Sequence, residues 1–256
     1  MTDLAKRFMR EQLEKRGLAI VKFEWLEKNG RAYEDLELLR AFPEEHSARL
    51  LKLLTGSRSQ FRQDLFVLSR TDFKQGGFFV DFGAADGLNA SNTYILEKCF
   101  GWNGIVAEPS RCWHEALRHT RKCVIETDCV WRESGVSLLF NEYGGLSTIE
   151  EFTNKDLHCK ERSRGHRYHV NTISLDDMLE KHAAPPIIDY LSIDTEGSEY
   201  EILSAYSFEK RRINFITVEH NYSPRRDLIF NLLASKGYQR VYQEHSKCDD
   251  WYIRSV

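Results

Sequence analysis

Between Gly77 and Gly237 the chain repeats one pattern: a short apolar run, then an amphipathic stretch. The runs "GFFVDFG", "GIVAEP", "CVIETD", "IIDYLSID" and "INFITVEH" are almost continuously hydrophobic, as strands covered on both faces must be. The intervening "SNTYILEKCF", "CWHEALRHT", "LDDMLEKH", "SEYEILSAY" and "PRRDLIFNLLASKG" carry helical spacing. Strands that alternate with helices predict an α/β domain with a parallel sheet. The last stretch, "YQRVYQEHSKCDDWYIRS", alternates like two strands around a polar turn, so an antiparallel hairpin completes a mostly parallel, seven-stranded sheet.

Before this pattern, residues 1–57 read as a helical addition to a main domain spanning 58–256. Leu4, Phe8 and Leu13 fall near one helical face with Gly17 as a stop, and Pro43 opens a second run, "PEEHSARLLKLLTG". Such an addition suits packing or homodimer formation. A net charge of -3 gives no basic footprint for nucleic acid. No run approaches membrane-spanning length, and the charged start lacks a signal peptide's apolar core, so a cytoplasmic protein is expected. Six scattered cysteines without a CxxC pair suit reduced thiols.

The turn "VDFGAADG" places Gly83 and Gly87 after a buried strand and ahead of a helix that Ser91 or Asn92 caps, where glycine lets backbone approach a ligand. Its spacing lacks the middle glycine that admits a dinucleotide pyrophosphate, which argues against a nicotinamide oxidoreductase. Asp81 and Asp86 would repel a pyrophosphate but attract a sulfonium and an ammonium, which implies S-adenosylmethionine. Glu108, ending the second strand, suits the ribose hydroxyls, and Asp128, ending the third, suits the adenine amino group.

The blocks "FFVDFGAADGLNASNT", "GWNGIVAEPS", "TISLDDML", "LSIDTEGSEYEIL", "ITVEHN" and "DDWYI" resemble the FkbM-type methyltransferases, S-adenosylmethionine-dependent O-methyltransferases. The resemblance runs from about Ser59 to Ile253 and implies a Rossmann-like class I methyltransferase fold. It implies cofactor contacts at Asp81, Gly83, Glu108 and Asp128, with Gln60 and Asp64, in "SQFRQDLFVL", as lids. Asp86, Asn92 and Asp194 complete the candidate cofactor set. Family members methylate hydroxyls of sugars and polyketide-type products.

In an open parallel sheet ligands lie beyond the carboxyl ends of the strands, which brings Asp194, Glu219, His220 and Asn221 near the reacting methyl. Transfer requires that the acceptor hydroxyl be positioned and deprotonated. Asp194, Glu196 or His220 is the candidate base. Alternatively Asp194, Glu219 and His220 hold a divalent cation such as magnesium or manganese that acidifies the hydroxyl, an arrangement resembling metal-dependent catechol and sugar O-methyltransferases. Glu196 also reads, with Gly197 and Ser198, as the turn into the next helix, where acids favour the helix dipole.

A long segment separates the third strand from "LDDMLEKH", and its basic part, "HCKERSRGHRYH", is expected either to be a solvated loop or to cover the acceptor site. In the second case Arg162 and Arg164, with Asn221, grip a sugar or nucleotide-sugar acceptor. The favoured expectation is O-methylation of a sugar or nucleotide-sugar hydroxyl. A polyketide-type product or a macromolecule is the alternative acceptor, and a cofactor-binding scaffold without chemistry is the non-enzyme alternative.

Overall fold

The computed structural model describes residues 3–16, 22–155 and 158–255. The chain forms two compact units, Met1–Phe42 and Pro43–Val256. The first contains α1 (Asp3–Glu14) and α2 (Phe23–Ala41); the expected stop at Gly17 lies outside the described residues. In the second, a single 3-10 turn (Glu44–His46) follows Pro43 and leads into α3 (Ser47–Leu53), so residues 43–57 belong to the larger unit.

The larger unit continues with α4 (Gln63–Arg70), β1 (Phe78–Phe82), α5 (Tyr94–Phe100), β2 (Asn103–Ala107), α6 (His114–Thr120) and β3 (Val124–Glu126). The long segment then builds β4 (Cys129–Trp131), β5 (Ser137–Glu142), β6 (Thr148–Ile149), α7 (Cys159–Arg162) and β7 (His166–Ser174). Alternation resumes with α8 (Leu175–Lys181), β8 (Ile187–Ile193), α9 (Glu199–Ala205), β9 (Arg212–Glu219) and α10 (Arg225–Ser235), and ends in β10 (Tyr238–Val241) and β11 (Asp249–Arg254).

Seven strands form one sheet in the order β10-β11-β9-β8-β1-β2-β3, parallel except for β11, which is antiparallel to both neighbours. The hydrophobic runs fill its core. Val80, Phe82, Leu191, Ile193, Ile216 and Val218 from the strands pack with Leu203 and Leu233 from α9 and α10. Each such side chain contributes about 1.5–3 kcal/mol on burial. Local chemistry agrees with this packing: the Asp177 amide donates to Ser174 Oγ at the start of α8, where Asp176 and Asp177 favour the helix dipole.

The long segment is not a loose loop. It forms a second sheet in the order β4-β7-β5-β6, with a core of Trp131, Phe140, Ile149, Phe152 and Val170. Strand order reverses between β1 and β8, which pair in parallel. A crevice is therefore expected beyond their carboxyl ends.

Candidate active site

β1, β8 and β9 end side by side: Phe82 pairs with Ile193 and Ile193 with Val218. The next residues of the three segments, Gly83, Asp194 and Glu219, therefore stand together at the sheet edge. Gly83 has φ +77, and a Cβ on it would lie 1.8 Å from the Asp194 carbonyl oxygen. The neighbouring strand, rather than a ligand, demands this glycine. Gly87 (φ +75) is likewise fixed by packing, since its Cβ would meet Leu117 and Arg121 at 2.7 Å.

The turn between these glycines is held from several sides. Asp86 accepts from the amides of Leu88 and Asn89 at 2.9 and 2.8 Å, so it caps the turn while facing the cleft. Asp81 is buried and accepts from the Thr93 hydroxyl at 2.6 Å; burial raises its carboxyl above the ordinary value. The Asn92 amide donates to Ser192 Oγ at 3.0 Å, while its Oδ1 is buried without a partner. Glu108 accepts from the amides of Ala85 and Ser110, each at 2.8 Å, yet burial pushes its carboxyl up to about 7. Ala85 and Ala90 adopt left-handed backbone (φ 45 and 56), an arrangement that persists only where surroundings enforce it.

Three cavities meet here. A cleft of about 1280 Å³ that includes open solvent is lined by Gln60, Asp81, Asp86, Asn92, Asp194, Glu196, Glu219 and Asn221. A second cavity, of about 590 Å³ with open solvent again included, is lined by Glu108, Trp113, Cys129, Val130 and Phe140, and shares Asp194 and Glu196 with the cleft. The third, of about 660 Å³, is lined by Phe152, Lys155, Gly197, Pro224 and Arg225 and reaches the cleft at Glu196, Glu219 and Asn221.

Carboxyl oxygens of Asp194, Glu196 and Glu219 lie within 4.8 Å of one another at this junction. Burial pushes Asp194 up to about 7, although a hydrogen bond with Glu219 opposes the shift. Burial and the charge of Asp194 hold Glu219 well above the usual carboxylate range. Asp249, directly opposite Glu219 in the β9–β11 pairing, is pushed by burial up to about 8 and accepts from Gln63 Nε2 at 2.6 Å. Such a concentration of acids favours any cation that enters.

Several expected roles are not assembled. Asp64 is fully buried, accepting from Ser57 Oγ and the Leu65 amide at 2.7 and 2.8 Å, so it braces α4 instead of covering a cofactor. Asp128 lines none of the three cavities; its neighbours Cys129 and Val130 supply that wall, and the Asp128 carboxylate lies 3.8 Å from Lys181. His220 lines the third cavity but does not join the acid cluster: Nδ1 accepts from the Tyr222 amide at 3.0 Å and Nε2 faces Asp250 at 3.8 Å. The expected cation ligands Asp194, Glu219 and His220 therefore do not converge, and Glu196 takes the third place among the converging groups.

The basic segment also differs. Arg162 is completely buried, donating from Nη2 to Glu196 Oε2 at 2.6 Å and from Nε to the Leu146 carbonyl at 2.7 Å, so it braces Glu196 and does not grip an acceptor. Arg164 is exposed and lines none of the three cavities. Glu196 and Gly197 form the bend that leads into α9, where Glu199 Oε1 gathers the amides of Thr195 and Gly197. Lys155 and Arg225, absent from the expected acceptor set, line the third cavity.

The sheet order with its single reversed strand makes a Rossmann-like α/β fold whose ligand crevice, lined by acids, lies at the β1/β8 switch point. The chain belongs to the FkbM methyltransferase family: the model described as "Methyltransferase FkbM domain" matches residues 81–240. No curated protein matches the sequence. Among solved structures, it is similar to precorrin-6y C5,15-methyltransferase from Geobacter metallireducens GS-15 at 12% identity and TM-score 0.40, over 75% of this chain and 87% of that one. A TehB-like SAM-dependent methyltransferase from Corynebacterium glutamicum ATCC 13032 shows 7% identity and TM-score 0.39, over 83% and 97% of the two chains. The human methyltransferase 10 domain containing protein shows 11% identity and TM-score 0.36, over 72% of each. Among the described residues no helix is long and apolar enough to cross a membrane.

Proposed function

We propose that the protein transfers a methyl group to a hydroxyl of a sugar or nucleotide-sugar, with Asp194 as the base. The observation that carries this reading is the meeting of the cleft and the third cavity at carboxylates. When bound, S-adenosylmethionine supplies a methyl carbon activated by positive sulfur. The residues suited to hold it are Glu108 for the ribose, and Asp81, Gln60 and Asn92 for the amino-acid end; the unpartnered Asn92 Oδ1 suits an ammonium donor. Trp113, Val130 and Phe140 give the adenine an apolar wall.

The acceptor enters from the third cavity, whose lining sets Phe152 and Pro224 beside several polar side chains, as suits a sugar-sized ligand. Its acids Glu196, Glu199 and Glu219 exchange hydrogen bonds with sugar hydroxyls, and Lys155 and Arg225 suit an anionic substituent. Asp194 takes the hydroxyl proton as the oxygen attacks; a carboxyl pushed up to about 7 is matched to that task near neutrality.

Incubation of labelled S-adenosylmethionine with a panel of nucleotide-sugars tests the reading. Transfer to one of them is expected, with Asp194→Asn reducing turnover at least ~100-fold. Transfer to polyketide-type alcohols alone would overturn the acceptor assignment, and full activity of Asp194→Asn would overturn the base. A chelator arm separates proton removal by Asp194 from cation-assisted transfer: loss of turnover restored by magnesium or manganese would favour the latter.

A further inference from the structure

The cleft and the second cavity differ in chemistry but share one wall. Gln60, Asp81 and Asn92 belong to the cleft, whereas Glu108, Val130 and Phe140 belong to the second cavity. Asp194 and Glu196 line both. In S-adenosylmethionine the sulfonium joins the amino-acid end to the adenosine. A donor lying across both cavities therefore presents its charge to the shared wall.

Glu196 is built into that wall with unusual constraint. Its backbone is left-handed (φ 58), and its carbonyl accepts from the Thr148 hydroxyl at 2.9 Å. Its Oε2 accepts from fully buried Arg162 at 2.6 Å. β6 and α7 of the inserted sheet thus fix both the backbone and the carboxylate of this one residue. Glu196 also lines the third cavity, so it faces the donor and acceptor sides at once.

We propose that Glu196 distinguishes the methyl donor from the spent product. In the transfer the carbon–sulfur bond breaks, its electron pair stays on sulfur, the carbon–oxygen bond forms, and the hydroxyl proton passes to Asp194. The sulfur ligand thereby changes from a cation to a neutral thioether. A carboxylate pinned at the shared wall favours the first and gives nothing to the second, which promotes release of S-adenosylhomocysteine. Arg162 is a positioning residue in this scheme, acting only through Glu196. The inference rests on the methyltransferase reading, with the donor lying across these two cavities.

Isothermal titration of S-adenosylmethionine and S-adenosylhomocysteine reads the effect directly, without an acceptor. The two ligands differ by one methyl group and one charge, so the ratio of their Kd values isolates the charge-dependent part. Glu196→Gln is expected to shift that ratio about tenfold against the donor. Glu108→Gln, at the opposite end of the ligand, is expected to weaken both alike and leave the ratio within about twofold. An unchanged ratio in Glu196→Gln, or an equal shift in Glu108→Gln, overturns the proposal. The wild-type protein gives a variant-free check: sinefungin, which carries an amine in place of the methylsulfonium, should bind about tenfold tighter than S-adenosylhomocysteine at neutral pH. Equal binding of the two also overturns it. If the wild-type protein binds none of these ligands, the methyltransferase reading fails instead.

Discussion

Gly83→Ala tests the close approach between the glycine after β1 and the backbone after β8. Two costs combine. An L side chain at φ +77 costs about 1–2 kcal/mol in the left-handed region. A methyl group 1.8 Å from the Asp194 carbonyl oxygen cannot be accommodated by a side-chain rotation, because the obstacle is backbone. Overpacking of this kind adds about 1–3 kcal/mol. At roughly 2–4 °C per kcal/mol for a domain of this size, the total of about 2–5 kcal/mol predicts a Tm lower by about 4–20 °C, read by circular dichroism. Gly76→Ala is the control: its φ is +65 but nothing lies within 4 Å of the added Cβ, so only the backbone cost applies. Because the displaced atom belongs to Asp194, Gly83→Ala should also lose methyl transfer under conditions where it remains folded. If Gly83→Ala melts with Gly76→Ala, the steric account is wrong.

Asp194, pushed up to about 7 by burial, must be deprotonated to act, so the transfer rate should climb roughly tenfold per pH unit below that value and level above it; a rate that falls across this range would exclude it as the base. The unliganded protein should lose stability as pH rises from about 5 to 8. Glu108, Asp194 and Asp249 titrate at about 7, 7 and 8 when folded, against ordinary values of 4.5, 3.8 and 3.8, so the folded state binds more protons across that window. Melting temperatures at pH 6 and pH 8 check the sign, and Glu108→Gln should flatten the difference. Arg164→Ala should leave both acceptor KM and Tm essentially unchanged, since this exposed side chain lines none of the cavities; a several-fold rise in KM would restore it to the acceptor site.

The large sheet was legible because each strand is a hydrophobic run closed by a turn or a helix cap, and burial on both faces leaves that pattern little freedom. The placement of Asp81, Glu108, Asp194 and Glu219 followed from strand order, since each sits at or just beyond a carboxyl end, apart from Asp81 one residue earlier. What spacing could not reveal was orientation. His220 follows Glu219 directly, and adjacent residues leaving a strand point apart, so the histidine faces Asp250 and leaves the acid cluster to its neighbour. Asp249 was hidden because its proximity to Glu219 arises from pairing between distant strands, although it lies within the "DDWYI" block. The inserted sheet was illegible for a related reason. Its strands are short or mixed in polarity, and its arginines look alike in sequence, yet one is fully buried against Glu196 and another is exposed.

The inserted sheet supplies Phe140 and Ile149 to one cavity, Leu146 to the cleft, and Phe152 and Lys155 to the third cavity. The acids that handle charge stand on the ends of the large sheet, while much of the enclosing surface belongs to a separate hydrogen-bonded body with its own core. Changes of size and shape between residues 137 and 170 can therefore alter what fits without disturbing the strands that carry Asp81, Asp194 and Glu219. Among the links that join the replaceable body to the fixed one are two at Glu196, a hydrogen bond from the Thr148 hydroxyl to its carbonyl and the Arg162–Glu196 ion pair. A chimera that exchanges the inserted sheet must keep that pair, or exchange both of its members together.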